Sequence, residues 1–236
     1  MRFENNTYAH IYTRGHRKQE IFLEPEDWWR AVFMLRYFND EYSSPNIFRQ
    51  LDEMWKSDFH GSKPLLWPPY WPEHKPLVNI STFTFMNNHY HLLLQQLCDG
   101  GITKFMRKFN TGMANYFNTK YKQVGSLFQG KYKAKVVEDD NYFMYLSVYV
   151  QVKNTLERYP EGGLVGALEN FDKAYDWATQ DPFTSLGDYS GKRNSPIIEK
   201  GVLGKMFPDP KKYKEFARQC MLDINLDEKL SQLKID

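Results

Sequence analysis

Cysteine is nearly absent: of 236 residues only Cys98 and Cys220 carry a thiol, too far apart for a Cys-x-x-Cys metal or redox pair. That sets aside a disulfide framework, and the thiols are expected to be reduced, as in a cytosolic protein. No stretch approaches the roughly 20 apolar residues that a transmembrane helix needs. Met1-Arg2-Phe3-Glu4-Asn5-Asn6 also lacks an apolar signal core. A soluble, cytoplasmic protein with no membrane partner is expected. There is no internal repeat and no low-complexity tract, and the length suits one domain of ordinary size plus an extension. Charge of neither sign dominates, with a formal net charge of +2, so the total says little about partners. A local absence says more. Between Ile102 and Val137 there is no Asp or Glu, while eight basic residues fall there: Lys104, Arg107, Lys108, Lys120, Lys122, Lys131, Lys133 and Lys135. A field of one sign over that length points to a polyanion.

Aromatics, by contrast, are abundant at 17% of the chain. Much of that is core, but aromatics near basic residues also suit stacking on unpaired bases. Thr7 to Thr13 alternates as a first strand and ends at Arg14-Gly15. Glu24-Pro25-Glu26-Asp27 is an acidic, proline-bearing helix start, followed by Trp28, Val32, Leu35 and Phe38 at helical spacing. From about 39 to 76 the chain is irregular and reads as a loop insertion, with a short helix around Phe48 to Trp55. Within it Pro64-Leu65-Leu66-Trp67-Pro68-Pro69-Tyr70-Trp71-Pro72 is barred from helix interiors and central strands, and packing by its own aromatics is expected.

Val78 to Phe85 alternates as a strand, turns at Asn87-Asn88, and continues through His89-Tyr90-His91-Leu92-Leu93-Leu94. Asp99-Gly100-Gly101 opens a helix whose buried stripe is Ile102, Phe105, Met106, Phe109 and Met113. After Gly125, Lys131 to Val136 puts three lysines on one strand face and Tyr132, Ala134 and Val136 on the other. Asp139 or Asp140 caps a further helix running to about Leu156. Pro160-Glu161-Gly162-Gly163 marks a boundary, beyond which two short helical patterns are separated by Gly and Pro. The order strand, helix, two strands, helix, strand, helix is α+β: a ferredoxin-like antiparallel sheet with packed helices. The expected organisation is a domain over 1–159 and a helical C-terminal extension over 160–236.

Two features bear chemistry. His89 and His91 lie two apart on a strand and so point to one face. Neutral imidazoles are the commonest protein ligands for divalent metals, so the pair is a ready clamp. The second is a helix with two tyrosines one turn apart, Tyr145 and Tyr149, and pattern alone does not choose between them. A tyrosine of ordinary pKa, about 10, is a poor nucleophile at neutral pH, but a divalent cation polarises the phosphate it attacks.

Four stretches together resemble one family. They are Thr13-Arg14-Gly15 with Ile21-Phe22; Phe85-Met86-Asn87-Asn88-His89-Tyr90-His91-Leu92-Leu93-Leu94; Tyr116 to Tyr121 through Gly125-Ser126-Leu127-Phe128-Gln129-Gly130-Lys131-Tyr132-Lys133-Ala134; and Glu138-Asp139-Asp140 to Tyr149, with its spacing from Tyr142. Over about Ala9 to Tyr189 the chain resembles the REP-associated tyrosine transposases, within the HUH group of single-strand DNA endonucleases. The resemblance implies the HUH endonuclease fold and single-strand DNA nicking and rejoining beside hairpin repeats, through a 5′-phosphotyrosine.

In that family the histidine pair binds Mg²⁺ or Mn²⁺, which assigns His89 and His91 as ligands and Tyr149 as nucleophile. One position departs. The family reads Ile-His-Leu-Asn-Pro after the tyrosine, with the asparagine as a further ligand; here Val150-Gln151-Val152-Lys153-Asn154 stands instead. An ammonium cannot ligate a cation. Gln151 or Asn154 substitutes, water fills the place, or Lys153 contacts the scissile phosphate. The DNA-facing set is Arg14, Arg107, Lys108, Lys120, Lys122, Lys131, Lys133 and Lys135, with Lys153. The protein is expected to work as a monomer or homodimer. The alternative is a DNA- or hairpin-binding protein that keeps the scaffold without cleaving. A metallohydrolase is set aside because leucines, not an aspartate, follow His91.

Overall fold

The computed structural model describes residues 3–44, 46–55 and 65–222. Four strands, β1 (Tyr8–Arg14), β2 (Val78–Met86), β3 (His89–Gln96) and β4 (Lys133–Val137), form one antiparallel sheet in the order β2-β3-β1-β4. Helix α1 (Pro25–Tyr37) lies between β1 and β2, with α2 (Ile47–Trp55) after it, and α3 (Gly101–Tyr121) lies between β3 and β4. This is the α+β, ferredoxin-like order expected from the sequence. No helix among the described residues is long and apolar enough to cross a membrane.

Strand alternation sorts the side chains into two layers. Ala9 and Ile11 of β1, Tyr90, Leu92 and Leu94 of β3, and Ala134 and Val136 of β4 face a first core with α1 and α3. The α3 stripe is the expected one: Ile102, Phe105, Met106 and Phe109 have no exposed surface, and Met113 and Phe117 extend it. Each such side chain contributes about 1.5–3 kcal/mol relative to exposure, so the strands are held from this side. Helix α1 begins at a capping box formed by Glu24 and Asp27. The Asp27 carboxylate is wholly buried and accepts from the Leu23 and Glu24 amides, the Tyr116 and Tyr121 hydroxyls, and Lys120. In the 39–76 insertion, Trp67 and Trp71 pack edge to face at 5.0 Å, and Trp71 donates its Nε1–H to Gln50 at 2.8 Å. Pro64 lies outside the described residues.

Leu93 and Val137 point the other way, into a second core. It is built by α4 (Asp140–Val148), a wide turn over Tyr149–Lys153, α5 (Asn154–Leu156), α6 (Gly163–Glu169), α7 (Phe171–Ala178), α8 (Leu186–Tyr189), α9 (Gly201–Met206) and α10 (Pro210–Leu222). Asp139 is the N-cap of α4, accepting from the Tyr142 amide. Among its described residues the extension therefore holds five helices where two patterns were read, because Gly162, Gly163, Pro182, Gly191, Pro208 and Pro210 interrupt the periodicity. It also continues the sheet. Ser185 N–H donates to Phe83 O, Phe85 N–H to Phe183 O, and Glu199 N–H to Ile80 O, along the outer edge of β2. The register of β2 shifts between Ile80 and Thr82, and the Ser81 carbonyl accepts from the Tyr189 hydroxyl.

Candidate active site

Antiparallel register lines up three rows on the second face of the sheet. Arg14 of β1 lies opposite His89, Tyr12 lies between His91 and Lys133, and His10 lies between Leu93 and Lys135. The Asn87-Asn88 hairpin is fastened to the end of β1, where Gly15 N–H donates to Asn88 O and Ile21 N–H to Asn87 O. Gln129 N–H donates to Arg14 O, so the loop before β4 closes on the same corner. A side chain at Gly15 has no room, since a Cβ there would lie 2.1 Å from Gln19 O. These contacts enclose a cleft of 450 Å³ lined by Tyr12, Arg14, His89, His91, Lys131, Lys133 and Tyr149, among others.

The histidines are oriented from behind. His89 Nδ1 pairs with Asn88 Oδ1 at 2.7 Å, while Asn88 Nδ2 donates to Lys18 O. An amide oxygen only accepts, so His89 carries its proton on Nδ1 and keeps the Nε2 lone pair. His91 Nδ1 pairs with His10 Nε2 at 2.9 Å, and the rings stack with centroids 5.1 Å apart. Tyr12 stacks on His10 at 5.1 Å and on His91 at 5.8 Å. Burial, then the Arg14 charge, pushes His89 down to about 4, with Lys153 acting in the same sense and Glu157 opposing. Burial and the neighbouring His10 hold His91 well below the ordinary range. Burial and Lys135 push His10 down to about 3. All three are neutral at physiological pH, the form that ligates metals.

Tyr149 reaches this cleft from the opposite wall. Its ring meets His91 edge to face at 5.4 Å and His10 at 6.3 Å. Tyr145 goes elsewhere, packing on Phe216 of α10 at 5.5 Å. The helix widens into a π turn at Tyr149, where Asn154 N–H donates to Tyr149 O; such turns recur at functional sites. Lys153 then lies over the Tyr149 ring, its Nζ 5.3 Å from the centroid, and pairs with Glu157 at 2.8 Å.

Other sequence-derived candidates are not brought here. Gln151 has no exposed surface, donates to Tyr213 at 2.7 Å and accepts from Ser185 at 2.5 Å. Its amide is engaged in the second core, so it does not substitute as a ligand; the π turn directs it away. Arg107, Lys108 and Lys120 line a separate cleft of 880 Å³ among α1, α2 and α3, on the other layer. Lys108 donates to Tyr42 O at 2.9 Å, and Lys120 pairs with Glu24 and Asp27 at 2.8 Å each. Lys122 is the exposed C-cap of α3. Only Arg14, Lys131 and Lys133 of the expected set line the cleft, while Lys135 lies with its Nζ 4.8 Å from the Tyr142 ring.

Two imidazoles whose Nδ1 atoms are engaged and whose Nε2 atoms remain are a donor set that fits a divalent cation. For His91 that role requires Nδ1–H to donate to His10 Nε2, leaving the proton of His10 on its buried Nδ1, which has no hydrogen-bond partner. Among the described residues no group of three or more His, Cys, Asp or Glu is placed to hold an ion, so protein donors alone supply part of a coordination shell. His10 escaped the sequence reading; the signal was its place two and four residues before Tyr12 and Arg14 on one strand face.

Neutral burial makes stability pH-dependent. From about pH 6.5 downward unfolded histidines take up protons that folded His89 refuses down to about 4 and folded His10 down to about 3, so stability falls as pH falls through this window. Thermal melts are expected to show it, at about 2–4 °C per kcal/mol for a chain of this size. His10→Phe keeps the stack and should flatten the slope; an unchanged slope would mean that His10 takes up protons normally in the folded chain.

Among solved structures, one of a REP-associated tyrosine transposase bound to a REP hairpin aligns at 10% sequence identity and a TM-score of 0.38, covering 86% of this chain and 90% of that chain. Curated proteins gave no match. Residues 73–153 match the family model described as transposase, IS200-like. That stretch runs from just before β2 to the end of the π turn, and so the part of the chain that is similar to the IS200-like transposases holds both histidines, the basic strand and Tyr149.

Proposed function

We propose that the protein is a single-strand DNA endonuclease and strand transferase acting beside hairpin repeats, with Tyr149 as nucleophile and His89 and His91 holding Mg²⁺ or Mn²⁺. The observation that carries this reading is the meeting of Tyr149 with His91 in a cleft lined by Arg14, Lys131 and Lys133, all but Arg14 of these lying in the stretch that matches the transposase family model. Tyr149 Oη forms a bond to the phosphorus of a backbone phosphodiester as the P–O3′ bond breaks. The phenol gives up its proton and the departing 3′-oxygen gains one, leaving a 5′-phosphotyrosine and a free 3′-hydroxyl. The ester linkage is conserved, so attack by a 3′-hydroxyl on the phosphotyrosine rejoins a strand. A divalent cation on the imidazoles would neutralise charge developing on the phosphate oxygens. Arg14, Lys131 and Lys133 would track the backbone, and Tyr12 offers a ring face to an unpaired base.

The test is incubation with labelled single-stranded oligonucleotides bearing hairpins, in Mn²⁺, followed by a denaturing gel. A retarded, protease-sensitive band is expected. If no hairpin substrate gives one while binding persists, the protein is a DNA-binding derivative of the scaffold.

The cleft lysines make a separate expectation. Lys131→Gln with Lys133→Gln should lower the slope of log affinity against log salt by about 0.7 for each phosphate that is no longer neutralised. The same change at Lys108 and Arg107, on the other layer, should leave that slope in place if the strand runs only through the tyrosine cleft.

A further inference from the structure

The cleft is unusual for a cation site in its charge. Arg14, Lys131 and Lys133 are among its lining residues, and no carboxylate is. The two imidazoles bring no negative charge. Glu157, the acid whose charge acts on His89, is held by Lys153 at 2.8 Å. Lys153 is four residues beyond Tyr149, carried by the π turn to within 5.3 Å of the ring centroid, with 17% of its side chain exposed. It stands beside the tyrosine while Arg14, Lys131 and Lys133 line the rest of the cleft. A bare divalent ion in this cleft meets three cationic side chains and no carboxylate. A phosphate meets the opposite: a tyrosine with cations on both sides and an ammonium that can exchange its bridge to Glu157 for a phosphate oxygen.

We propose that Lys153 takes the backbone phosphate on the tyrosine side of the cleft, and that its charge makes divalent-ion binding depend on that phosphate, so that ion and DNA bind cooperatively. The inference rests on the functional reading above and deepens it. The strand supplies the anionic oxygens that the protein withholds, and two neutral imidazoles alone give only a weak site. Coupling of this kind is reciprocal: the ion strengthens DNA binding by the factor by which DNA strengthens ion binding.

The experiment is a Mn²⁺ titration followed by the free-ion paramagnetic resonance signal, on full-length Tyr149→Phe protein so that nothing is cleaved. It is run with and without a single-stranded oligothymidylate at low salt, and ion bound by the oligonucleotide alone is subtracted. Mn²⁺ is expected to bind about tenfold tighter with DNA, inside the usual range for coupled sites. Adding Lys153→Gln should tighten Mn²⁺ binding to the DNA-free protein and reduce the ratio to about twofold or less, while Lys153→Arg should keep it. A ratio near one before Lys153 is touched overturns the proposal, as does a ratio that Lys153→Gln leaves unchanged or an absence of any oligothymidylate binding. In the first two cases the metal and nucleophile roles stand. Mn²⁺ binding in neither state would instead remove the metal from the functional reading, and the coupling with it.

Discussion

Tyr149→Phe should eliminate the covalent protein–DNA adduct and reduce strand cleavage by on the order of a thousandfold or more, as expected when the sole nucleophile is deleted. The change removes one oxygen. The ring keeps its edge-on contact with His91 and its place under Lys153, and removal of a hydroxyl costs only about 0.5–1.5 kcal/mol of stability. DNA affinity and the melting temperature should therefore be close to those of the unmodified chain. Tyr145→Phe is the control. Its ring lies against Phe216, within the second core, and the variant should nick nearly normally. An adduct that survives Tyr149→Phe but not Tyr145→Phe would place the nucleophile one helical turn earlier and would require α4 to rotate in the complex.

The second large effect is expected at the histidine pair. A cation on the imidazoles is assigned several kcal/mol of charge stabilisation, and each 1.4 kcal/mol is a factor of ten in rate. His89→Ala should thus slow nicking by about two orders of magnitude and abolish measurable Mn²⁺ binding in the presence of DNA. The fold should persist, because β3 is anchored through Tyr90, Leu92 and Leu94 on its other face. His91→Ala should be as inactive and less stable. His91 is buried and is the hydrogen-bond partner of His10 Nε2, and leaving that nitrogen unpaired costs about 1–3 kcal/mol. Full nicking by both variants would return the pair to a structural role.

The architecture was legible because alternation and helical periodicity are local. The β1, β2, β3 and β4 patterns and the α3 stripe need no knowledge of what lies across from them. The histidine pair was legible for the same reason, since a period of two puts His89 and His91 on one face. The choice between Tyr145 and Tyr149 was not, because both fall on nearly one face of an ideal helix; the π turn and the packing of Phe216 separate them, and neither leaves a mark on local spacing. Proximity in sequence also misled. Arg107, Lys108, Lys120 and Lys122 are close in the chain to Lys131 and Lys133, but α3 packs on the far face of the sheet. Lys120 is matched by Asp27, a partner 93 residues away. The period of two places His10 on one face with Tyr12 and Arg14, but only the pairing of β1 with β3 makes it the neighbour of His91.

The amide of Gln151, held between Tyr213 and Ser185, ties the wide turn to the tail of the chain. The side chains proposed to react all lie before position 160, yet the residues that hold the turn carrying Tyr149 lie after it. A stop codon at the Pro160 boundary would spare His89, His91 and Tyr149 and still remove both partners of that amide. A copy with an intact His-x-His and tyrosine but no tail would therefore lack the packing that holds Tyr149 against His91.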